Sequence, residues 1–136
     1  MRRRIDRMMV ALAQRGMAPG GVFSLTVVGR TSGAERTVPV TPVVIDGREY
    51  LVAPYGHVGW VHNLRAARTG TIRRGRRVER FEAEELDAVA AAPILKQYLR
   101  ENAMVRPEVA VGVDDPMSAF EAVADRYPVF LIRPVG

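Results

Sequence analysis

The hydrophobic positions change their period several times along this chain, and each change marks an element. Ile5, Met8, Met9 and Leu12 recur at i, i+3, i+4 and i+7, with Arg2, Arg3, Arg4 and Arg7 around them, so an amphipathic helix is predicted over residues 1–17. Pro19, Gly20 and Gly21 end it. Phe23–Val28 then alternates Phe23, Leu25 and Val27 against Ser24 and Thr26, the period of a half-buried strand. After Pro39 and Pro42, "VVIDGREYLVA" holds two β-rich runs joined at Asp46 and Gly47, the dipeptide that best tolerates the positive φ angles of a tight hairpin. Trp60–Ala67 reads as a short helix with Trp60, Asn63 and Leu64 on one side, and Thr71–Ala83 as a second hairpin turning at Gly75.

Between Leu86 and Ala103, Ile94, Leu95, Tyr98 and Leu99 give an amphipathic helix in which Pro93 is acceptable only near the first turn. A further helix is expected to be capped by Asp115, to begin at Pro116 and to bury Met117, Phe120 and Ala124 along one side. "PVFLIRP" (128–134) closes the chain as a buried strand. Several antiparallel strands with few, short helices predict a mainly β fold with α additions, a small β-barrel rather than a parallel α/β sheet. With 136 residues, 1–136 is expected to form one domain around one core.

Composition narrows the chemistry. There is no cysteine, which excludes disulfides, thiolate catalysis and zinc–thiolate sites and fits a reducing, cytoplasmic compartment. His57 and His62 lie five apart with no acidic residue between them, so no metal site is expected. The basic start is too short and broken for a signal peptide or membrane span. The net charge is +5, and of twenty Lys and Arg residues only Lys96 is lysine, a balance that favours anionic partners.

The stretch "VGRTSGAERTVPV" (28–40) suggests where an anion would sit. Arg30 and Arg36 flank Thr31, Ser32 and Gly33, so forked donors, hydroxyls and a nest of backbone N–H groups would come together in one turn. The turn lacks the Gly-Lys-Ser/Thr ending of a Walker loop and the spacing of a dinucleotide loop. Its other reading is a hairpin turn with solvated arginines.

"GRTSGAERTVPV", a hairpin, "LVAPYG" and "GWVHNLRA", in that order, resemble the deazaflavin-dependent nitroreductase family of split β-barrel oxidoreductases, over about Phe23 to Arg80 and again at "RYPVFLIRP". The resemblance implies the cofactor F420, whose phosphate and oligoglutamate tail would meet Arg30, Thr31, Ser32, Gly33 and Arg36. Pro39, Val40 and Thr41 would lie beside the ring, with Ala53, Pro54, Tyr55, Trp60 and Asn63 completing the site. Many relatives have a basic residue where this chain has Thr31 and a Ser-Lys pair where it has Pro54 and Tyr55. Fewer cations leave flavin mononucleotide (FMN) open as the alternative cofactor.

The implied activity is hydride transfer from reduced F420 to a small hydrophobic acceptor such as a quinone, enone or nitro compound, with Tyr55 and His57 as candidate proton donors. A non-catalytic cofactor- or lipid-binding barrel is the other reading. The arginine run Arg73, Arg74, Arg76, Arg77 and Arg80 raises nucleic-acid binding, but Phe81 is the only nearby aromatic for base stacking, so no nucleic-acid partner is expected. The N-terminal stripe would suit peripheral membrane contact as well as packing on the barrel. A monomer and a homodimer both remain open.

Overall fold

The computed structural model describes residues 23–135; the helix expected over residues 1–17 lies outside them. Seven antiparallel strands form one sheet: β1 (Phe23–Val28), β2 (Glu35–Val40), β3 (Val43–Ile45), β4 (Arg48–Val52), β5 (Thr69–Arg74), β6 (Arg77–Glu85) and β7 (Val129–Pro134), in the order β2-β1-β5-β6-β7-β4-β3. The sheet curls into a half-barrel, so that β1 and β2 from one end share a core with β4 and β7 from the other. Both expected hairpins form. Asp46 (φ 52°) and Gly47 (φ 77°) turn the first, with Val43 opposite Tyr50, and the second turns at Gly75 with Arg74 opposite Arg77. Pro39 is accommodated because β2 is an edge strand, paired only to β1.

Strands β4 and β7 read as unbroken apolar runs because they are buried on both faces. Leu51, Ala53, Phe130 and Ile132 point into the barrel with Leu25, Val27, Val40, Ile72 and Phe81. Tyr50, Val52, Val129 and Leu131 point the other way, into a second core under the helices, so the single core expected from the length is divided in two by strands that bury both faces. The barrel mouth is closed by α1 (Gly59–Ala67), which buries Val61, Asn63 and Leu64. The second core is covered by α2 (Ala88–Glu101) and α3 (Met117–Val123), with 3-10 turns at Ala103–Glu108 and Ala124–Arg126. No helix among the described residues is long and apolar enough to cross a membrane.

Two helix starts differ from expectation. Pro93 lies in the second turn of α2, because Asp87 caps the helix earlier through Oδ1 and the Ala90 N–H (2.9 Å). The proline ring faces solvent, while Ala91, Ala92, Ile94, Leu95, Tyr98 and Leu99 bury a continuous stripe, and that burial outweighs one missing backbone bond. For α3, the cap residue is Pro116 rather than Asp115, whose carboxylate accepts instead from the Gly112 N–H (2.7 Å) and closes the preceding loop. Of the three apolar residues expected to be buried there, Phe120 and Ala124 are, whereas Met117 is exposed.

Gly70 shows how tightly the barrel closes. It faces Phe81 across β5 and β6, and a Cβ there would lie 2.8 Å from the Phe81 ring and 3.0 Å from the Thr26 carbonyl. Replacing Gly70 by Ala is therefore expected to cost about 1–3 kcal/mol, the usual range for overpacking, as a lowered midpoint in denaturant with an unchanged slope.

Tyr98 makes the second core sensitive to alkali. Burial, with a smaller contribution from Tyr55, pushes its pKa up from about 10 to about 12. A buried phenol that resists ionisation stabilises the fold below pH 10 relative to higher pH, and this contribution disappears as the pH rises through about 12. Stability is expected to fall by up to about 3 kcal/mol between pH 10 and 12, and the fall should be smaller in Tyr98→Phe when denaturation midpoints are compared across that range.

Candidate functional site

The segment between β1 and β2 is a closed turn, and its own bonds account for its shape. The Gly29 N–H donates to the Ala34 carbonyl (2.7 Å), the Gly33 N–H to the Gly29 carbonyl (2.9 Å) and the Ala34 N–H to Ser32 Oγ (3.2 Å). Gly33, at φ 72°, supplies the left-handed residue that the turn needs. The expected nest of free amides is thus reduced to the N–H groups of Thr31 and Ser32. Its Gly33 and Ala34 N–H groups are used internally and that of Arg30 goes to Asn63, so most of the binding capacity passes to side chains.

Those side chains surround two neighbouring cavities. A cleft of about 800 Å³ is lined by Arg30, Arg36, Val38, Pro39, Tyr55, Val58, Gly59, Trp60 and Asn63. A second, of about 380 Å³, is lined by Gly29, Arg30, Thr31, Ser32, Arg36 and Asn63. Arg30, Arg36 and Asn63 belong to both, so one end of the combined site carries two guanidinium groups and two hydroxyls while the other is largely apolar. The first turn of α1 also borders the larger cleft, adding the positive end of the helix dipole. Such a site suits an elongated ligand with an anionic end and a flat apolar end.

Each side chain arrives by a different route. Val38 and Pro39 are adjacent on edge strand β2 and both line the cleft. Trp60 is half-buried at the start of α1, its ring 6.0 Å from that of Phe130, so one indole both packs on the barrel core and walls the cleft. Tyr55 is 60% exposed on the loop after β4. Asn63 is buried, and its Oδ1 accepts from both the Arg30 backbone N–H (3.1 Å) and Arg30 Nη1 (2.8 Å).

Other expected site residues stand apart from the cleft. Val40 and Ala53 belong to the barrel core, Pro54 is buried beside Ala53, and Thr41 lies partly exposed between β2 and β3. They back the site without lining it. His57 does not line it either. Its Nε2–H donates to the Asp125 carbonyl (2.8 Å) and its Nδ1 accepts from Arg65 Nη1 (3.1 Å), the assignment required when one partner is a carbonyl and the other a guanidinium. Arg65 is in turn held by Glu85 through two bonds of 2.7 Å, which raise its pKa above the ordinary value against the opposing effect of burial. Both nitrogens of His57 are committed to fixing the loop, which counts against a role as proton donor. Val58 and Gly59 line the cleft without having been singled out in the sequence, because apolar wall residues carry no signal of their own.

The arginine run of the second hairpin is partly neutralised within the sheet. Arg74 pairs with Glu49 and Glu79 and stacks over Phe23, its guanidinium carbon 4.9 Å from the ring centroid, and Arg77 reaches Glu79 at 3.5 Å. No cluster of metal-ligating side chains occurs among the described residues.

Comparison with known proteins agrees with this geometry. The family model of F420H(2)-dependent quinone reductases matches residues 1–121. Among solved structures, the chain is similar to an F420-H2-dependent reductase, FDR-A, at 22% identity, covering 83% of this chain and 94% of that one with a TM-score of 0.58. It is similar to a protein solved as a domain-swapped dimer, at 20% identity with 97% and 96% covered and a TM-score of 0.60. A further similar structure is a protein described as a pyridoxamine 5'-phosphate oxidase, from Listeria innocua, at 12% identity with 85% of each chain covered and a TM-score of 0.59. No curated protein matches the sequence. The likenesses in structure establish the split β-barrel fold, and the family match establishes an oxidoreductase that works with F420. The chain belongs to the F420H(2)-dependent quinone reductase family.

Proposed function

We propose that this protein reduces a small hydrophobic acceptor of the quinone, enone or nitro class with F420H2, and that the cleft beside β2 and α1 holds both the coenzyme ring and the acceptor. The observation that carries the reading is the division of one cleft into a cationic end, Arg30 and Arg36, and an apolar end, Val38, Pro39, Val58 and Trp60. The donor set fits F420: guanidinium and hydroxyl groups suit a phosphate and carboxylates, and apolar walls suit a tricyclic ring. When bound in reduced form, F420 supplies a hydride.

The chain's own residues do the rest. Arg30 and Arg36, with the hydroxyls of Thr31 and Ser32, would bind the anionic tail, and Gly33 holds the turn in shape. Pro39, Val58 and Trp60 would orient the ring and keep water from the reacting face, with Val40, Thr41, Ala53 and Pro54 as backing. Reduction of a quinone or enone needs a proton as well as the hydride, and Tyr55, which lines the cleft, would provide it. His57 keeps that loop in place through Asp125 and Arg65. FMN is the alternative that the titration below compares, and a homodimer is compatible with the reading.

The test is a fluorescence titration of the purified protein with F420 and, separately, with FMN at two salt concentrations, followed by turnover of F420H2 with a soluble naphthoquinone and with cyclohexenone. Saturable F420 binding that weakens with salt, and consumption of at least one acceptor, are expected. Tighter binding of FMN would reassign the cofactor, and F420 binding without turnover of any quinone, enone or nitro compound would remove the acceptor class.

A further inference from the structure

We propose that Asn63 is a positioning residue, which acts on the anionic tail through Arg30 rather than by touching it; the proposal rests on the reading that Arg30 holds that tail. Only two polar residues are buried among the described ones, Ser24 and Asn63. On a helix face that otherwise buries Val61 and Leu64, an amide is costly unless its hydrogen bonds are made. The Asn63 amide oxygen makes both of its bonds to one residue, 33 positions earlier in the chain. It accepts from the Arg30 N–H, which fixes where the turn begins, and from Arg30 Nη1, which fixes the direction of the guanidinium.

The identity of the acceptor matters. A long arginine side chain on an exposed turn samples many rotamers, and ordering it on binding weakens affinity. A buried acceptor pre-orders the side chain before the ligand arrives. A carboxylate at this position would do so too, but it would neutralise the cation. An amide oxygen holds the guanidinium and leaves its positive charge, and its remaining N–H groups, for an incoming anion. Arg30 and Asn63 line both cavities, so the braced group stands where the apolar and cationic ends meet.

The experiment is a double-mutant cycle of Asn63→Leu and Arg30→Ala, read as dissociation constants for F420 and for a tail-less deazaflavin carrying only the ring and ribityl chain. Arg30→Ala is expected to weaken F420 by about 10- to 100-fold, the loss of one charge-assisted hydrogen bond, and Asn63→Leu by about tenfold. Because Arg30→Ala already removes the side-chain bond and leaves only the backbone one, the double variant should lose clearly less than the product of the two single losses, and none of the three should change affinity for the tail-less compound. Additive losses, or weakened binding of the tail-less compound by Asn63→Leu, would show direct contact and overturn the proposal. If Arg30→Ala leaves F420 affinity unchanged, the tail assignment itself falls. A second readout needs no folded Asn63 variant. In cofactor-free wild-type protein, the Arg30 guanidinium, assigned by its absence in Arg30→Lys, should give separate Nη resonances by 15N NMR. A single averaged resonance would overturn the brace.

Discussion

Replacing Arg30 and Arg36 together by alanine is expected to raise the dissociation constant for F420 by about 10²- to 10⁴-fold while the melting temperature hardly moves. The magnitude follows from losing two hydrogen bonds to charged groups, each contributing about 1.5–3 kcal/mol. The fold should tolerate both changes because the two arginines are exposed and neither enters the core. Asn63 is not stranded in the double variant, since the backbone N–H of residue 30 still donates to its Oδ1. The salt dependence of binding should also flatten, because two cations no longer face the tail. Equilibrium titration at two salt concentrations, with melting curves on the same samples, checks all three. Unchanged affinity in a folded protein would place the anion site elsewhere.

That variant separates the two ends of the cleft. The apolar end is built from side chains that also carry stability: Trp60 leans on Phe130, and Val38 and Val58 pack against the barrel core. The cationic end hangs on a turn whose shape is set by its own amides and by one bond network to α1. Affinity for an anion at the cationic end can therefore vary with little effect on folding, whereas the apolar wall cannot be altered without touching the core.

Much of this organisation was legible in the sequence, for identifiable reasons. Asp46 and Gly47 fixed the first hairpin because few other dipeptides accept positive φ at both positions. Alternation in Phe23–Val28 set β1, and the order of the motifs brought Arg30, Arg36, Pro39, Tyr55, Trp60 and Asn63 into one cleft as expected. What was not legible depended on partners distant in sequence. Nothing local shows that the carboxylate of Asp115 would serve Gly112 rather than α3, or that Asp87 would start α2 far enough upstream to leave Pro93 in its second turn. His57 looked free as a proton donor because both of its partners, Asp125 and Arg65, are supplied by the tertiary fold. That the Asn63 oxygen would brace Arg30 was hidden for the same reason, its donor lying 33 positions away.

Phe120→Ala is expected to destabilise the protein by about 3–5 kcal/mol, the range for truncating a buried aromatic and more than overpacking at Gly70 would cost. Phe120 is fully buried and belongs to the core between the sheet and helices α2 and α3, with the Lys96 ammonium 5.5 Å from its ring centroid. Its helix is only seven residues long, too short to persist on its own, so α3 is held by what this ring buries. Truncation should open a cavity that Ala91, Leu95 and Leu99, on a helix anchored along its length to the sheet, can fill only in part. A fall of about 10–20 °C in melting temperature is expected, with the cooperativity of unfolding retained. The cleft is walled mostly by residues that pack on the barrel core, with Tyr55 the wall residue near Tyr98 of the second core, so the variant that remains folded should bind F420 nearly as tightly as the wild type. Parallel denaturation and titration measurements would check both halves, and a large loss of affinity in folded Phe120→Ala would mean that the two cores are coupled through the shared strands β4 and β7.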